Sequence, residues 1–436
     1  MFAGTAKIDI TPNGSVWMDG MIRSHRSTGV HDPLFARALV LANSGETAQG
    51  FAVISVDVCG LDEKSTNLTR LLIEAKTGIP AKQVIIAATH THSGPATIGF
   101  FNQAEEKYLK ETEGKIVECV ARAAQNLLPV SAGCASGREE TISHYRRLLA
   151  DDGHVVMNWE PFPAERLKGP LGEIDPELGV LKIAGTDNPE RIICLLFNHA
   201  GHPNVMSGDN YLLSADYPGM ATGLLEKKFG CNAIFVNGAQ GTMDIDGVKD
   251  RDWEGVERAG TALAQATIQT AAKVNLSKTI AVRGAGIAYF LPARQIFGRE
   301  LEWAKKVLEE TGGKVQVVAD GVGDDYKARL LVELRKNQNQ NIPLEQICFA
   351  VGDCAFISLP GELFTEIGRR IKTESPFQHT YIIGLANGCV GYIPTREAIA
   401  QGGYEVDTRR AGDDAEEIIV EHSLVLLRKV YKKVTI

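Results

Sequence analysis

Four histidines stand in two close pairs, His90 with His92 and His199 with His202, and each pair directly follows an apolar run. A neutral imidazole offers one ring nitrogen as a metal ligand or proton acceptor. At the end of a strand, residues i and i+2 point to one side, so His90 and His92 can face a common cleft. A single histidine of this kind is ordinarily a satisfied loop residue; two pairs at strand ends favour metal binding. A catalytic zinc takes three or four protein ligands and leaves a position for water. Glu362, in SLPGELFTEIG, is the carboxylate candidate. Its type and place fit equally a carboxylate offsetting the dipole at a helix start.

The elements that must carry these groups alternate along the chain. Residues 51–60 and 83–95 read as buried strands, the second running into the His90 loop; 62–76 and 104–127 read as helices. The theme repeats with strands at 191–203 and 233–244 and helices at 215–229 and 253–273. Residues 298–340 read as a charged helical excursion. Two short strands and a helix follow over 348–371, a strand and loop over 381–395, and a last helix over 413–432. This order predicts an α/β fold of layered sheets flanked by helices, whose ligand site gathers beyond the strand ends. The expected organisation is one large domain over residues 1–436.

Composition narrows the functional class. The 436 residues carry a net charge of −8, which disfavours a nucleic-acid surface. No segment has the apolar length of a membrane span. The N-terminus lacks the pattern of a secretory signal, and the eight cysteines form no CxxC pair, so reduced thiols and a cytoplasmic location are expected. Asp57, at a strand end, reads as a cap or as support for a histidine; His31 and Asp32 read as a turn launching a strand. GAQG (238–241) lacks the Lys-Ser/Thr of a phosphate loop, and 319–331 lacks calcium-loop spacing.

Four segments taken together, ATHTHSGP (88–95), FNHAGHPNVM (197–206), SLPGELFTEIGRR (358–370) and ANGCVGYIPTREAIAQGGYEV (386–406), resemble the catalytic domain of the neutral ceramidases in order and rough spacing. The resemblance runs from about residue 3 to 410. It implies one zinc ion held by His90, His202, Glu362 and the unusual ligand Tyr392. It implies His92 beside the reacting group as proton carrier, Tyr404 near the substrate carbonyl, and Arg146, with Arg147 as the alternative, approaching the site. The expected activity is hydrolysis of an N-acyl amide by zinc-activated water, on a small-molecule substrate that is N-acylated or lipid-like. The alternatives are another amide or ester that is not a lipid, or a non-catalytic metal-binding protein. One departure stands out. Where the family carries a serine touching the scissile bond, alignment on Gly241 places Asp244, with Thr242 in place of an aspartate. Asp244 is then the candidate for orienting water or binding a polar substrate group. No counterpart of the family's C-terminal immunoglobulin-like domain is expected. The HxH pair also occurs in metallo-β-lactamase folds and amidohydrolase barrels. The residues after His92, Ser93-Gly94, do not continue as Asp-His, and a barrel places its pair after the first strand.

Overall fold

A computed structural model describes residues 1–245, 251–318 and 320–432. Of the segments singled out above, those over 298–340 and 319–331 include Ala319, which lies outside the described residues.

Eight strands form one sheet in the order Asn232–Asn237, Ile192–His199, Glu177–Gly185, Leu128–Arg138, Phe2–Asp9, Phe35–Ala42, Phe51–Val56, Val84–Ala88. The two outermost pairs are parallel, Phe51–Val56 with Val84–Ala88 and Ile192–His199 with Asn232–Asn237; the pairs between them are antiparallel. A parallel pair needs a crossover, and helices Glu63–Thr77 and Asp216–Phe229 supply it.

These strands read as continuous apolar runs because both faces are covered. Alternate side chains go to different cores. From Phe35–Ala42, Leu39 and Leu41 pack against a second sheet, whereas Ala36, Ala38 and Val40 pack against helices Glu63–Thr77 and Glu106–Gln125. From Ile192–His199, Cys194 and Leu196 face the second sheet, and Leu195 and Phe197 face helices Asp216–Phe229 and Trp253–Ala272. The second sheet has four strands, ordered Val282–Leu291, Ile342–Val351, Cys354–Ser358, His379–Ile383. Its outer face is closed by Thr365–Glu374 and Ala415–Lys432, through Ile367, Ile371, Ile419 and Leu427. The expected layered α/β architecture is the observed one. No helix among the described residues is long and apolar enough to cross a membrane.

The large sheet curves until its two edges approach. Ser55 donates from its hydroxyl to the Phe235 carbonyl at 2.6 Å. The Asn237 side-chain amide donates to the carbonyls of Thr89 (3.3 Å) and Gly201 (2.8 Å), joining the loop after one edge strand to the loop that carries His202. This curvature brings His90 and His202, 112 residues apart, into contact.

Helices Gly298–Thr311 and Asp324–Asn337 pack as a hairpin with a small core of its own that includes Ala304, Leu331 and Leu334. Cys134 and Cys354 are bridged across the two sheets, which corrects the expectation of eight reduced thiols.

Candidate functional site

The Val84–Ala88 strand ends two residues before His90, whose backbone is left-handed at φ 74°. Strand alternation therefore does not aim His90 and His92. A turn does, and it is pinned by the His90 amide donating to the Val58 carbonyl and the His92 amide donating to the Pro203 carbonyl. The second bond ties this loop to the His202 loop.

Three imidazoles converge there. His90 Nε2 lies 3.2 Å from His202 Nε2 and 3.3 Å from His92 Nε2, and the three rings stand nearly perpendicular to one another. Glu362 Oε2 is 3.2 Å from the same His90 nitrogen. His90 Nδ1 lies 2.7 Å from the Cys59 carbonyl, which can only accept, so the proton is assigned to Nδ1 and the Nε2 lone pair is free. Burial pushes the His92 and His202 pKa values well below 6.5, and neighbouring His90 pushes them further down. Both are neutral at pH 7, the form in which imidazole binds metal. Glu362 Oε2, His92 Nδ1 and His202 Nδ1 are buried without a hydrogen-bond partner. With Nε2 of all three rings turned inward, neutral His92 and His202 carry their protons on Nδ1, and the inner cluster of Nε2 lone pairs and the Glu362 oxygen is costly to bury unless a cation completes it. The donor atoms of His90, His202 and Glu362 all lie within 4.8 Å of one another, and Cys59, His90 and His92 form a second such set. Two nitrogens and an oxygen suit a zinc-type ion.

Glu362 is not in a helix. It opens the two-residue strand Glu362–Leu363, which pairs in parallel with Tyr392–Ile393 so that Glu362 and Tyr392 sit side by side. Helix Thr365–Glu374 begins three residues later. Gly241 holds this strand from the other side: its amide donates to the Leu363 carbonyl at 2.7 Å, and a Cβ there would meet the Glu362 carbonyl oxygen at 2.5 Å. Thr242 donates to the Thr365 hydroxyl at 2.7 Å and so ties the same loop to the helix start.

Tyr392 stacks edge-on against Tyr404, and Tyr404 against Trp159. Arg146 lies under all three rings, with its guanidinium 5.0 Å from the Tyr392 centroid. Its Nε donates to Glu405 at 2.7 Å and its Nη2 to the Gly241 carbonyl at 2.7 Å. Burial opposes its charge, but Tyr392, Glu405 and Asp244 outweigh that and hold the guanidinium charged. Burial pushes the Tyr392 phenol well up, against the pull of Arg146. Arg147 faces away, stacked on Phe364 and donating to the other Glu405 oxygen and the Gly402 carbonyl.

A cleft of about 560 Å³, its mouth included, is lined by His90, His92, Glu362, Tyr392 and Tyr404, with Ile98, Phe100, Phe101, Tyr326 and Leu330 as apolar walls. Tyr326 and Leu330 come from the helical hairpin, which thus roofs the site. Arg146 and Asp244 are not among the lining residues. Arg146 sits behind the tyrosines. Asp244 is fully buried, accepts from the Ile245 amide at 2.8 Å, and has Arg251 at 3.6 Å. His199 is also elsewhere, 3.4 Å from the Glu177 carbonyl and 3.9 Å from Glu139. Asp57 accepts from the Phe35 amide and from Arg37, a structural pairing. Asp32 accepts from Ser214 and the Ala215 amide, a long-range contact that ties it to the start of helix Asp216–Phe229. The residues that sequence reasoning missed are Cys59, the apolar walls and Glu405. A signal for Glu405 existed: adjacent buried arginines require a carboxylate, and this one follows Tyr404.

Comparison with known proteins adds a second line. A family model described as "Neutral/alkaline non-lysosomal ceramidase, N-terminal" matches residues 2–243. A curated protein named neutral ceramidase, from Pseudomonas aeruginosa, is 27% identical over 236 residues, which is 50% of this chain and 32% of that protein. The chain therefore spans only about a third of that relative's length in the alignment. A crystal structure of neutral ceramidase from Pseudomonas aeruginosa superposes with a TM-score of 0.74 at 20% identity, covering 99% of this chain and 74% of that one. A ceramidase complexed with C2 gives 0.75 at 20%, covering 99% and 75%. At that identity the likeness speaks for the fold.

Proposed function

The chain belongs to the neutral/alkaline non-lysosomal ceramidase family, and on that premise we propose that it hydrolyses an N-acyl amide at a single zinc centre held by His90, His202, Glu362 and Tyr392. The observation that carries this reading is the meeting of three histidine Nε2 atoms and the Glu362 carboxylate at one end of the cleft, within 3.3 Å of His90 Nε2. The relatives' name supplies the substrate class carried over, an N-acylated, lipid-like small molecule.

A bound Zn²⁺ ion supplies Lewis acidity and lowers the pKa of a water from about 15.7 toward about 7. The protein's own groups do the rest. The apolar walls, Ile98, Phe100, Phe101, Tyr326 and Leu330, take the acyl group and exclude bulk water. Tyr404 donates its hydroxyl to the carbonyl oxygen as negative charge develops there. Arg146, charged and fixed behind Tyr392 and Tyr404, holds both phenols in place and adds positive potential. His92, neutral at pH 7, takes a proton at Nε2 and passes it to the leaving amine nitrogen. Water adds at the acyl carbon, the C–N bond breaks, and a carboxylic acid and an amine leave. Asp244, buried beside Arg251 and outside the cleft lining, acts by supporting the Arg146 charge.

Hydrolysis of a panel of N-acyl amides tests the reading. Chelation should abolish turnover and Zn²⁺ should restore it. Replacing His92 should leave zinc bound but slow turnover about a hundredfold or more. Full turnover by metal-free protein would overturn the proposal.

A further inference from the structure

The cleft wall holds a cation that amide hydrolysis does not need. Arg410 lines the cleft beside Phe100, Phe101, Tyr326 and Gly391. Its guanidinium stacks 4.5 Å from the Phe100 centroid, and its Cδ lies 3.9 Å from the Cβ position of Gly391, the residue preceding Tyr392. The stem is thus fixed next to the metal-binding strand. An arginine has five N–H donors. Among the described residues the Arg410 side chain makes one hydrogen bond, 3.1 Å to Glu333. Glu333 is half exposed, and such a pair is weak and easily exchanged. Its neighbour Arg409 shows the contrast: it is buried and committed to the Val406 carbonyl and Asp413. Arg410 is the one arginine that lines the cleft among the described residues, and it keeps unfilled donors there, held by a ring that restricts the guanidinium plane. That fork matches a carboxylate, which accepts two parallel N–H bonds.

We propose that Arg410 is a specificity-determining residue that binds a substrate carboxylate, so that the cleft takes N-acyl amino acids. The proposal rests on the amide-hydrolysis reading above. The aliphatic walls, Ile98 and Leu330, suit the acyl chain, and the Phe100 face that carries Arg410 is left to the amine half, which then bears the carboxylate. Hydrolysis of such a substrate adds one water across the C–N bond and yields a fatty acid and a free amino acid. Binding exchanges the exposed Glu333 partner of Arg410 for the substrate carboxylate.

Two matched amides, N-octanoylglycine and N-octanoylethanolamine, differ in that charge. The ratio of their kcat/KM values should favour the glycine amide in the wild type, and Arg410→Gln should cut the ratio about tenfold or more, the size of a charge-assisted bond. Glu333→Gln removes the competing carboxylate from an exposed position and should raise the ratio. A ratio unchanged by Arg410→Gln, or lowered by Glu333→Gln, overturns the proposal. Calorimetry with the uncleavable N-octylsulfonylglycine, against its ethanolamine counterpart, separates this proposal from the one beneath it. If neither amide is cleaved but the sulfonyl glycine binds about tenfold more weakly to Arg410→Gln, the hydrolase reading falls and the carboxylate site stands. If both amides are cleaved and the sulfonyl pair binds alike to both proteins, the reverse holds.

Discussion

Replacing Glu405 should destabilise the protein more than any surface charge does. Glu405 is fully buried in the short helix Tyr404–Thr408 and accepts from Arg146 Nε at 2.7 Å and Arg147 Nη1 at 2.9 Å. Both guanidiniums are themselves buried, at 1% and 0% exposure. Glu405→Ala leaves two buried cations without their counter-charge, a change that typically costs about 3–5 kcal/mol. Each arginine keeps a carbonyl acceptor, Gly241 for Arg146 and Gly402 for Arg147, which places the expected loss near the lower end, about 3 kcal/mol. Glu405→Gln preserves the shape and one acceptor and should lose about 2 kcal/mol. Glu333→Gln, breaking a half-exposed pair, should stay within about 1 kcal/mol. Urea unfolding of the three variants, with unchanged m-values, gives these differences directly. A loss under about 1 kcal/mol for Glu405→Ala would show that this carboxylate does not hold the two arginines together.

Zinc content after dialysis should fall in His202→Ala but not in His199→Ala, because only His202 reaches His90; equal retention in both would remove His202 from the ligand set. Asp216 is pushed up from 3.8 to about 7 by burial. Between about pH 4 and 7 the unfolded chain has released this proton while the native state keeps it, so stability falls as pH rises, by about 1.4 kcal/mol per unit, and levels off above about 7. Urea midpoints for wild type against Asp216→Asn should diverge with that sign across the window, and a pH-independent difference would contradict it. Alkylation of denatured, unreduced protein should modify six cysteines and reduction should expose two more, Cys134 and Cys354; eight modified without reduction would remove the bridge.

The strands doubly buried in the large sheet were legible because continuous apolar runs need no partner to be recognised: Phe51–Val56, Val84–Ala88 and Ile192–His199 all fall where the sequence predicts them. Leu128–Arg138 was not. Its run LPVSAGCASGR is small, polar and glycine-containing, and its strand character comes from the Glu177–Gly185 partner. Gly137 serves packing there, since a Cβ would meet the Thr270 hydroxyl of helix Trp253–Ala272 at 1.9 Å. The histidines and Glu362 were legible as residue types, but what assembles them is sheet curvature and the Asn237 bridge, which no local pattern records. The backbone at His90 shows the limit of periodicity: the pair meets through a left-handed turn rather than through strand alternation. The cleft walls were hidden because Phe100, Phe101, Tyr326 and Leu330 come from segments more than 200 residues apart.

The most direct test of the metal centre is an anomalous diffraction map recorded at the zinc edge from crystals grown with Zn²⁺. One peak is expected about 2.0–2.2 Å from His90 Nε2, His202 Nε2 and a Glu362 oxygen, with the Tyr392 hydroxyl beside it. A peak held instead by Cys59, or no peak among these residues in an active crystal, would contradict the account.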